Sequence, residues 1–172
     1  MCPSQGTMDI FVEAILPRPE LVIFGASPVA IALAALAKPM GFTTTICADT
    51  PEHDKFHYGD KFIDGLSYDT NTNNKRYVII STQGRGDQAS LESALSLNAE
   101  FVAFVGSRKK AEKLKGNLAE NGVSQENLDT IKAPAGLDIN AITPEEIALS
   151  ILAELTQFRR ADQYQSFRSD NG

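Results

Sequence analysis

The chain has 172 residues, 42% hydrophobic and 22% charged, which excludes an intrinsically disordered protein and fits one domain. Acidic residues number 22 against 16 basic ones, for a net charge of −6 and a pI near 4.9. That balance excludes a general binder of nucleic acid or anionic membranes, so any anion site must be local.

Residues 1–17 read as irregular, broken by Pro3, Gly6 and Pro17, with Ile10-Phe11-Val12 as a candidate edge strand. Glu20-Leu21-Val22-Ile23-Phe24 is an almost continuous apolar run ending at Gly25, as expected of a strand buried on both faces. Residues 28–38 are rich in Ala and Leu and begin with Pro28, which predicts a helix stopped by Pro39 and Gly41. Residues 42–48 are β-branched and predict a second strand, and Phe62-Ile63-Asp64 a short third one. An Asn-rich turn at 71–75 leads to a fourth strand over residues 76–81. Asp87 is expected to cap a helix running to Leu97. A fifth strand is predicted at 101–105, a helix at 108–121, a short helical turn at 124–129 and a sixth strand around Ile131. Thr143-Pro144-Glu145-Glu146 is a capping box opening a helix to about Arg160, and the polar last dozen residues are expected to fray. Strand and helix alternate, so the expected fold is α/β: one Rossmann-like, doubly wound, mainly parallel sheet with helices on both faces. It spans residues 1–172, with its core at about 13–160.

Such sheets bind ligands beyond the carboxyl ends of their strands. Gly25-Ala26-Ser27-Pro28-Val29-Ala30 matches G-x-G-x-x-G/A at its first and last positions, with Ser27 in place of the middle glycine. A serine there narrows the backbone approach but offers a hydroxyl to a phosphate. Asp49 follows the second strand, 49 − 25 = 24 positions after Gly25, near the ~20-residue spacing of an acidic ribose ligand. Thr82-Gln83-Gly84-Arg85-Gly86 follows the fourth strand and offers backbone N–H groups, with Arg85, to an anion. Gly106-Ser107-Arg108 follows the fifth strand, where a basic residue in a first helical turn suits an anion; Lys109 and Lys110 read as solvated surface. Asp138 lies in a Pro- and Gly-containing rim loop, as an anchor or a turn residue. His53 and His57 have no third ligand nearby, so no metal site is expected, and Cys47 reads as a small core residue.

The sequence resembles the C-terminal Rossmann domain of the XdhC/CoxI family, the xanthine dehydrogenase accessory factors. The resemblance rests on Pro17-Arg18-Pro19-Glu20-Leu21-Val22-Ile23-Phe24-Gly25-Ala26, on Gly106-Ser107-Arg108-Lys109-Lys110, on Ala133-Pro134-Ala135-Gly136-Leu137-Asp138-Ile139, and on Thr143-Pro144-Glu145-Glu146-Ile147-Ala148. It covers about residues 13–158 and departs from the family at Ser27, usually glycine, and at Gln83, usually histidine. It implies an accessory protein, a chaperone that binds the molybdenum cofactor (molybdopterin or its dinucleotide form) and assists maturation of a xanthine dehydrogenase- or CO dehydrogenase-type enzyme.

The implied partners are a molybdenum hydroxylase apo-enzyme and, for sulfur, a sulfurtransferase or a separately encoded N-terminal partner. Homodimerisation fits such a factor. The alternative read from Gly25 and Asp49 is an NAD(P)-binding oxidoreductase or a nucleotide-sensing module. Two cysteines, Cys2 and Cys47, make no disulfide framework and suit a reducing compartment. No basic leader precedes an apolar core, and the apolar stretch 21–36 is interrupted by Gly25, Ser27 and Pro28. A cytoplasmic location with no membrane span is therefore expected.

Overall fold

The computed structural model describes residue 11 and residues 17–70, 72 and 74–170. Among these residues six strands form one sheet: β1 (Glu20–Phe24), β2 (Thr43–Ala48), β3 (Lys61–Asp64), β4 (Arg76–Ile80), β5 (Phe101–Phe104) and β6 (Ile131–Lys132). Their order is β3-β2-β1-β4-β5-β6, and all five pairings are parallel. The order reverses between β1 and β4, which both leave the sheet at one edge, with Phe24 opposite Ile80.

Among the described residues, five α-helices cover the sheet: α1 (Pro28–Ala37), α2 (Asp87–Ser96), α3 (Arg108–Glu120), α4 (Gln125–Asp129) and α5 (Pro144–Asp170). Side chains alternate along each strand, so β1 sends Leu21 and Ile23 to one face and Val22 and Phe24 to the other. The first face packs against α1 and α5 through Leu33, Ile151 and Leu155; the second meets α2, α3 and α4 through Leu91, Leu118 and Leu128. Both faces are buried, which is why the strands read as apolar runs rather than alternating ones.

The helix starts follow their local chemistry. Ser27 and Ser107 cap α1 and α3, accepting from the N–H groups of Ala30 at 3.1 Å and Lys110 at 3.2 Å. The expected capping box is present: the Thr143 hydroxyl accepts from Glu146 N–H at 3.2 Å, and the Glu146 carboxylate accepts from Thr143 N–H at 2.9 Å. Two expectations are corrected. Asp87 is the first residue of α2 rather than its cap; Gly86, in a left-handed conformation at φ +79°, occupies the cap. The polar C-terminal segment is helical to Asp170 rather than frayed, because no Gly or Pro after Pro144 interrupts α5. The candidate edge strand Ile10-Phe11-Val12 lies outside the described residues except for Phe11, which is exposed.

The amino ends of the central strands are fastened by an ionic network. Arg76 Nε donates to Glu20 Oε2 at 2.8 Å, with both side chains at 10% exposure or less. The other carboxylate oxygen accepts from Thr45 Oγ1 at 2.7 Å and Tyr68 OH at 2.8 Å, and Arg76 also donates to the Leu97 carbonyl at 2.8 Å. A buried pair needs such additional bonds to offset its desolvation. The network locks the end of the sheet opposite the reversal point.

Candidate functional site

At the reversal point β1 ends in Gly25, whose φ is +99°. A Cβ there would lie 2.5 Å from the Ser81 carbonyl oxygen and 2.8 Å from Thr82 Cα, both backbone atoms of the segment leaving β4. Glycine is therefore required both by conformation and by the close approach of two chain segments. Beyond this turn lies a crevice of about 270 Å³, lined by Gly25, Ala26, Ser27, Asp49, Thr82, Gln83 and Arg85, together with Glu52, Lys55 and Leu66. Asp49 and Arg85 are exposed at its mouth.

Ser27 lines the crevice, but its hydroxyl is already engaged within the fold. Its hydroxyl caps α1 and forms a 2.6 Å hydrogen bond with the Ser81 hydroxyl, and the residue is 4% exposed. The serine fastens α1 to the end of β4, a structural use of the position where the fingerprint has glycine. The wall carrying Asp49, Glu52 and Lys55 is a 3₁₀ turn, Thr50–Lys55. His53 holds that turn, with Nε2 donating to the Ala48 carbonyl at 2.7 Å. No group of three metal-ligating side chains occurs among the described residues.

The loop after β4 carries Gln83 at φ +53°, Gly84 at +90° and Gly86 at +79°. Three left-handed residues in four need a fixed anchor, and Asp87 supplies it. Its carboxylate accepts from Thr82 Oγ1 and from Gly84 N–H at 3.0 Å, and it pairs with Lys110 Nζ at 2.6 Å. Burial pushes this carboxyl up, but the hydrogen bonds from Lys110, Thr82 and Gly84 outweigh it and hold it below the usual Asp value. Lys110 is thus not solvated surface: it reaches from α3 to latch the loop, with its ammonium 5.5 Å from the Phe104 ring centroid. Its role was hidden because its partner lies 23 residues away, 110 − 87, on another helix.

Gly106, Arg108 and Asp138 belong to a different depression, a cleft of about 900 Å³ beyond β5 and β6. Its far wall is the Ala133–Asp138 segment, and its floor includes Glu154. Glu154 is 8% exposed; it pairs with Lys132 at 3.0 Å and accepts from Gly136 N–H at 2.8 Å. Nothing in the local sequence marks Glu154, which lies within an apolar stretch of α5. Gly136, at φ +95°, rests on α5, where a Cβ would crowd Ser150 and lie 3.1 Å from Ile151 N. Ser107 lines neither depression and acts as the α3 cap. The candidate residues thus divide: Gly25, Ala26, Ser27, Asp49, Thr82, Gln83 and Arg85 meet at the crevice, Gly84 sits in the latched loop above it, Gly106, Arg108 and Asp138 line the second cleft, and Ser107 caps α3.

Cys47 is fully buried in β2, and burial, followed by the nearby Glu20 charge, pushes its thiol up to about 12. It is a core side chain, as the sequence suggested. No helix among the described residues is long and apolar enough to cross a membrane.

Comparison with known proteins places this geometry in context. The chain is 29% identical to the uncharacterized protein YqeB of Escherichia coli K12, over 90% of this chain and 30% of that protein. It is 26% identical to a Bacillus subtilis 168 protein named as a probable xanthine dehydrogenase component, over 90% of this chain and 47% of that one. The chain therefore spans less than half the length of these curated relatives. Among solved structures, a xanthine dehydrogenase of Bacillus halodurans is similar with a TM-score of 0.69 and 28% identity, over 84% of this chain and 44% of that one. The XdhC Rossmann domain matches residues 21–155, a span holding the Gly25 turn, the latched loop and the Gly136 wall, and so the chain belongs to the XdhC Rossmann-domain family.

Proposed function

We propose that this domain binds the molybdenum cofactor as cargo and acts as an accessory, chaperone-like unit in the maturation of a xanthine dehydrogenase- or CO dehydrogenase-type enzyme. The observation that carries the reading is the crevice at the β1/β4 reversal of an XdhC-family domain, one of whose relatives is named for xanthine dehydrogenase. Strand-order reversal is where sheets of this type hold nucleotide-like ligands. Among the groups present, Arg85 brings positive charge to an otherwise acidic protein and suits a phosphate, Lys55 pairs with Glu52 on the same wall, and Asp49 stands at the end of β2 to accept from a ribose hydroxyl. A crevice of about 270 Å³ lies just under the ~300–1,000 Å³ usual for small-molecule sites, which suits the phosphate end of the cargo.

The described residues offer no sulfur carrier, because Cys47 is buried with a thiol pushed up to about 12. Sulfur for the cargo would come from a partner, a sulfurtransferase or a separately encoded domain, and delivery would be to the apo-enzyme. The test is an anaerobic titration of the protein with molybdenum cofactor, followed by pterin fluorescence. Saturable binding is expected, weakened about ten- to a hundredfold by Arg85→Ala, the loss of one charge-assisted bond of ~1.5–3 kcal/mol. Absence of saturable binding refutes the proposal.

A second reading has its own support in Asp49, which the crevice places at the end of β2, where a dinucleotide ribose would lie. It makes the domain an NAD(P)-binding oxidoreductase or nucleotide sensor. NADP in the same titration, binding where the molybdenum cofactor does not, would select it.

A further inference from the structure

The Ala133–Asp138 segment is built more firmly than a rim loop requires. Three successive N–H groups are tied to three different places: Ala135 to the Phe104 carbonyl at 3.0 Å, Gly136 to the Glu154 carboxylate at 2.8 Å, and Leu137 to the Ser150 carbonyl at 3.2 Å. The segment is thereby fixed against both β5 and α5. The cleft it walls shares no lining residue with the crevice at the sheet reversal and has more than three times its volume, about 900 against 270 Å³. Its walls are mixed: Ile131, Pro134, Leu137 and Ile147 supply apolar surface beside polar and charged side chains. Lys132 neutralises the buried Glu154. That leaves Arg108 and Asp138, both exposed, with no ion pair or side-chain hydrogen bond among the described residues. A cleft with apolar surface, one unpaired cation and one unpaired carboxylate is complementary to a flat heterocycle with a donor edge and an anionic tail.

We propose that this cleft is the pterin subsite of the domain, with Asp138 accepting from the amino-pyrimidine edge of the ring and Arg108 binding the anionic tail. The assignment rests on the accessory reading above and divides the cargo: heterocycle in the cleft, nucleotide phosphate in the crevice. A carboxylate can accept two parallel N–H bonds from an amino-pyrimidine edge, and the guanidinium fork can do the complementary work on a carboxylate or phosphate. The pinned wall makes the slot preorganised, which limits the ordering cost of binding.

The test uses pterin-6-carboxylate alone, followed by its own fluorescence, which no tryptophan of this chain obscures. Saturable binding is expected, weakened tenfold or more by Arg108→Ala and by Asp138→Asn. Lys109→Ala removes the same charge one residue along and is expected to stay within twofold, and excess AMP, which has a phosphate but no paired N–H donors on its pyrimidine edge, is expected not to displace the pterin. Absence of saturable binding at millimolar pterin, equal losses at Lys109 and Arg108, or displacement by AMP would each overturn the subsite. Binding of the whole molybdenum cofactor that ignores Arg108→Ala and Asp138→Asn would overturn the subsite and leave the accessory reading standing. Pterin-6-carboxylate held by both residues, with no binding of the whole cofactor, would do the reverse. Nicotinamide mononucleotide binding with the same two dependences, where the pterin does not bind, would overturn the pterin assignment.

Discussion

Replacing Gly25 with alanine tests whether the two segments at the sheet reversal are as tightly apposed as they stand. Two costs act at that position. An alanine at φ +99° loses about 1–2 kcal/mol to its backbone conformation. Its Cβ would also lie 2.5 Å from the Ser81 carbonyl oxygen, a backbone atom that cannot rotate away, and such overpacking costs roughly 1–3 kcal/mol. Gly122 provides the control, because its φ is +90° and no atom lies within 4 Å of its Cβ position. Gly122→Ala should bear the conformational cost alone. The expected difference between the two variants is therefore the contact contribution, about 1–3 kcal/mol, or roughly 2–12 °C in Tm at ~2–4 °C per kcal/mol for a chain of this size. Urea unfolding followed by far-UV circular dichroism, with a thermal scan beside it, measures both. Equal losses in the two variants would refute the close approach, and with it the explanation for glycine at the end of β1.

Removing the guanidinium of the basal network in Arg76→Met should leave Glu20 buried without its cation and cost about 3–5 kcal/mol, read as a shift in urea midpoint; a loss under 1 kcal/mol would show the network to be dispensable. Glu20 and Asp87 both titrate below their usual values in the folded state: burial raises each, and hydrogen bonds outweigh it, led by Arg76 for Glu20 and by Lys110 for Asp87. A lowered folded pKa contributes stability above the unfolded pKa of about 4, and that contribution is lost as pH falls through the folded value. Stability should thus be insensitive to these groups between pH 6 and 8 and fall below about pH 4, with a shallower acid limb in Asp87→Asn. In a Cys2→Ser background, Cys47 should resist iodoacetamide at pH 8 until the protein is unfolded, since burial holds its thiol up at about 12. Rapid labelling of the folded protein would mean that β2 opens.

Much of this architecture is written in local signals. Glu20-Leu21-Val22-Ile23-Phe24 announces a strand buried on both sides, and Thr143 with Glu146 announces the start of α5, because a strand's burial and a helix's cap depend on neighbours in sequence. The crevice was legible for the same reason: strand ends followed by glycine turns mark the carboxyl edge of a parallel sheet. What escaped are the pairings between distant elements. Asp87 has the composition of a cap, yet its carboxylate turns back to the loop because Lys110 arrives from α3. Ser27 resembles a ligand donor, yet Ser81 stands 2.6 Å away across the sheet. Glu154 carries no signal at all, since its meaning comes from Lys132 and Gly136. Each needs the strand order before it can be read, and no single segment specifies that order.

The packing of α5 also sets a timetable for the nascent chain. The inner face of α1 (Leu33, Ala34 and Ala37) is fully or almost fully buried, and Ile151, Leu152 and Leu155 of α5 belong to the same apolar cluster. Helix α1 thus waits for α5, more than a hundred residues later in the chain, before that face is covered. During that interval the first strand-helix unit displays an uncovered oily flank. A stop or pause upstream of residue 144 would leave that flank open to whatever else is sticky nearby, so the segments most exposed to misassembly during synthesis are those that later hold the Gly25 turn in place.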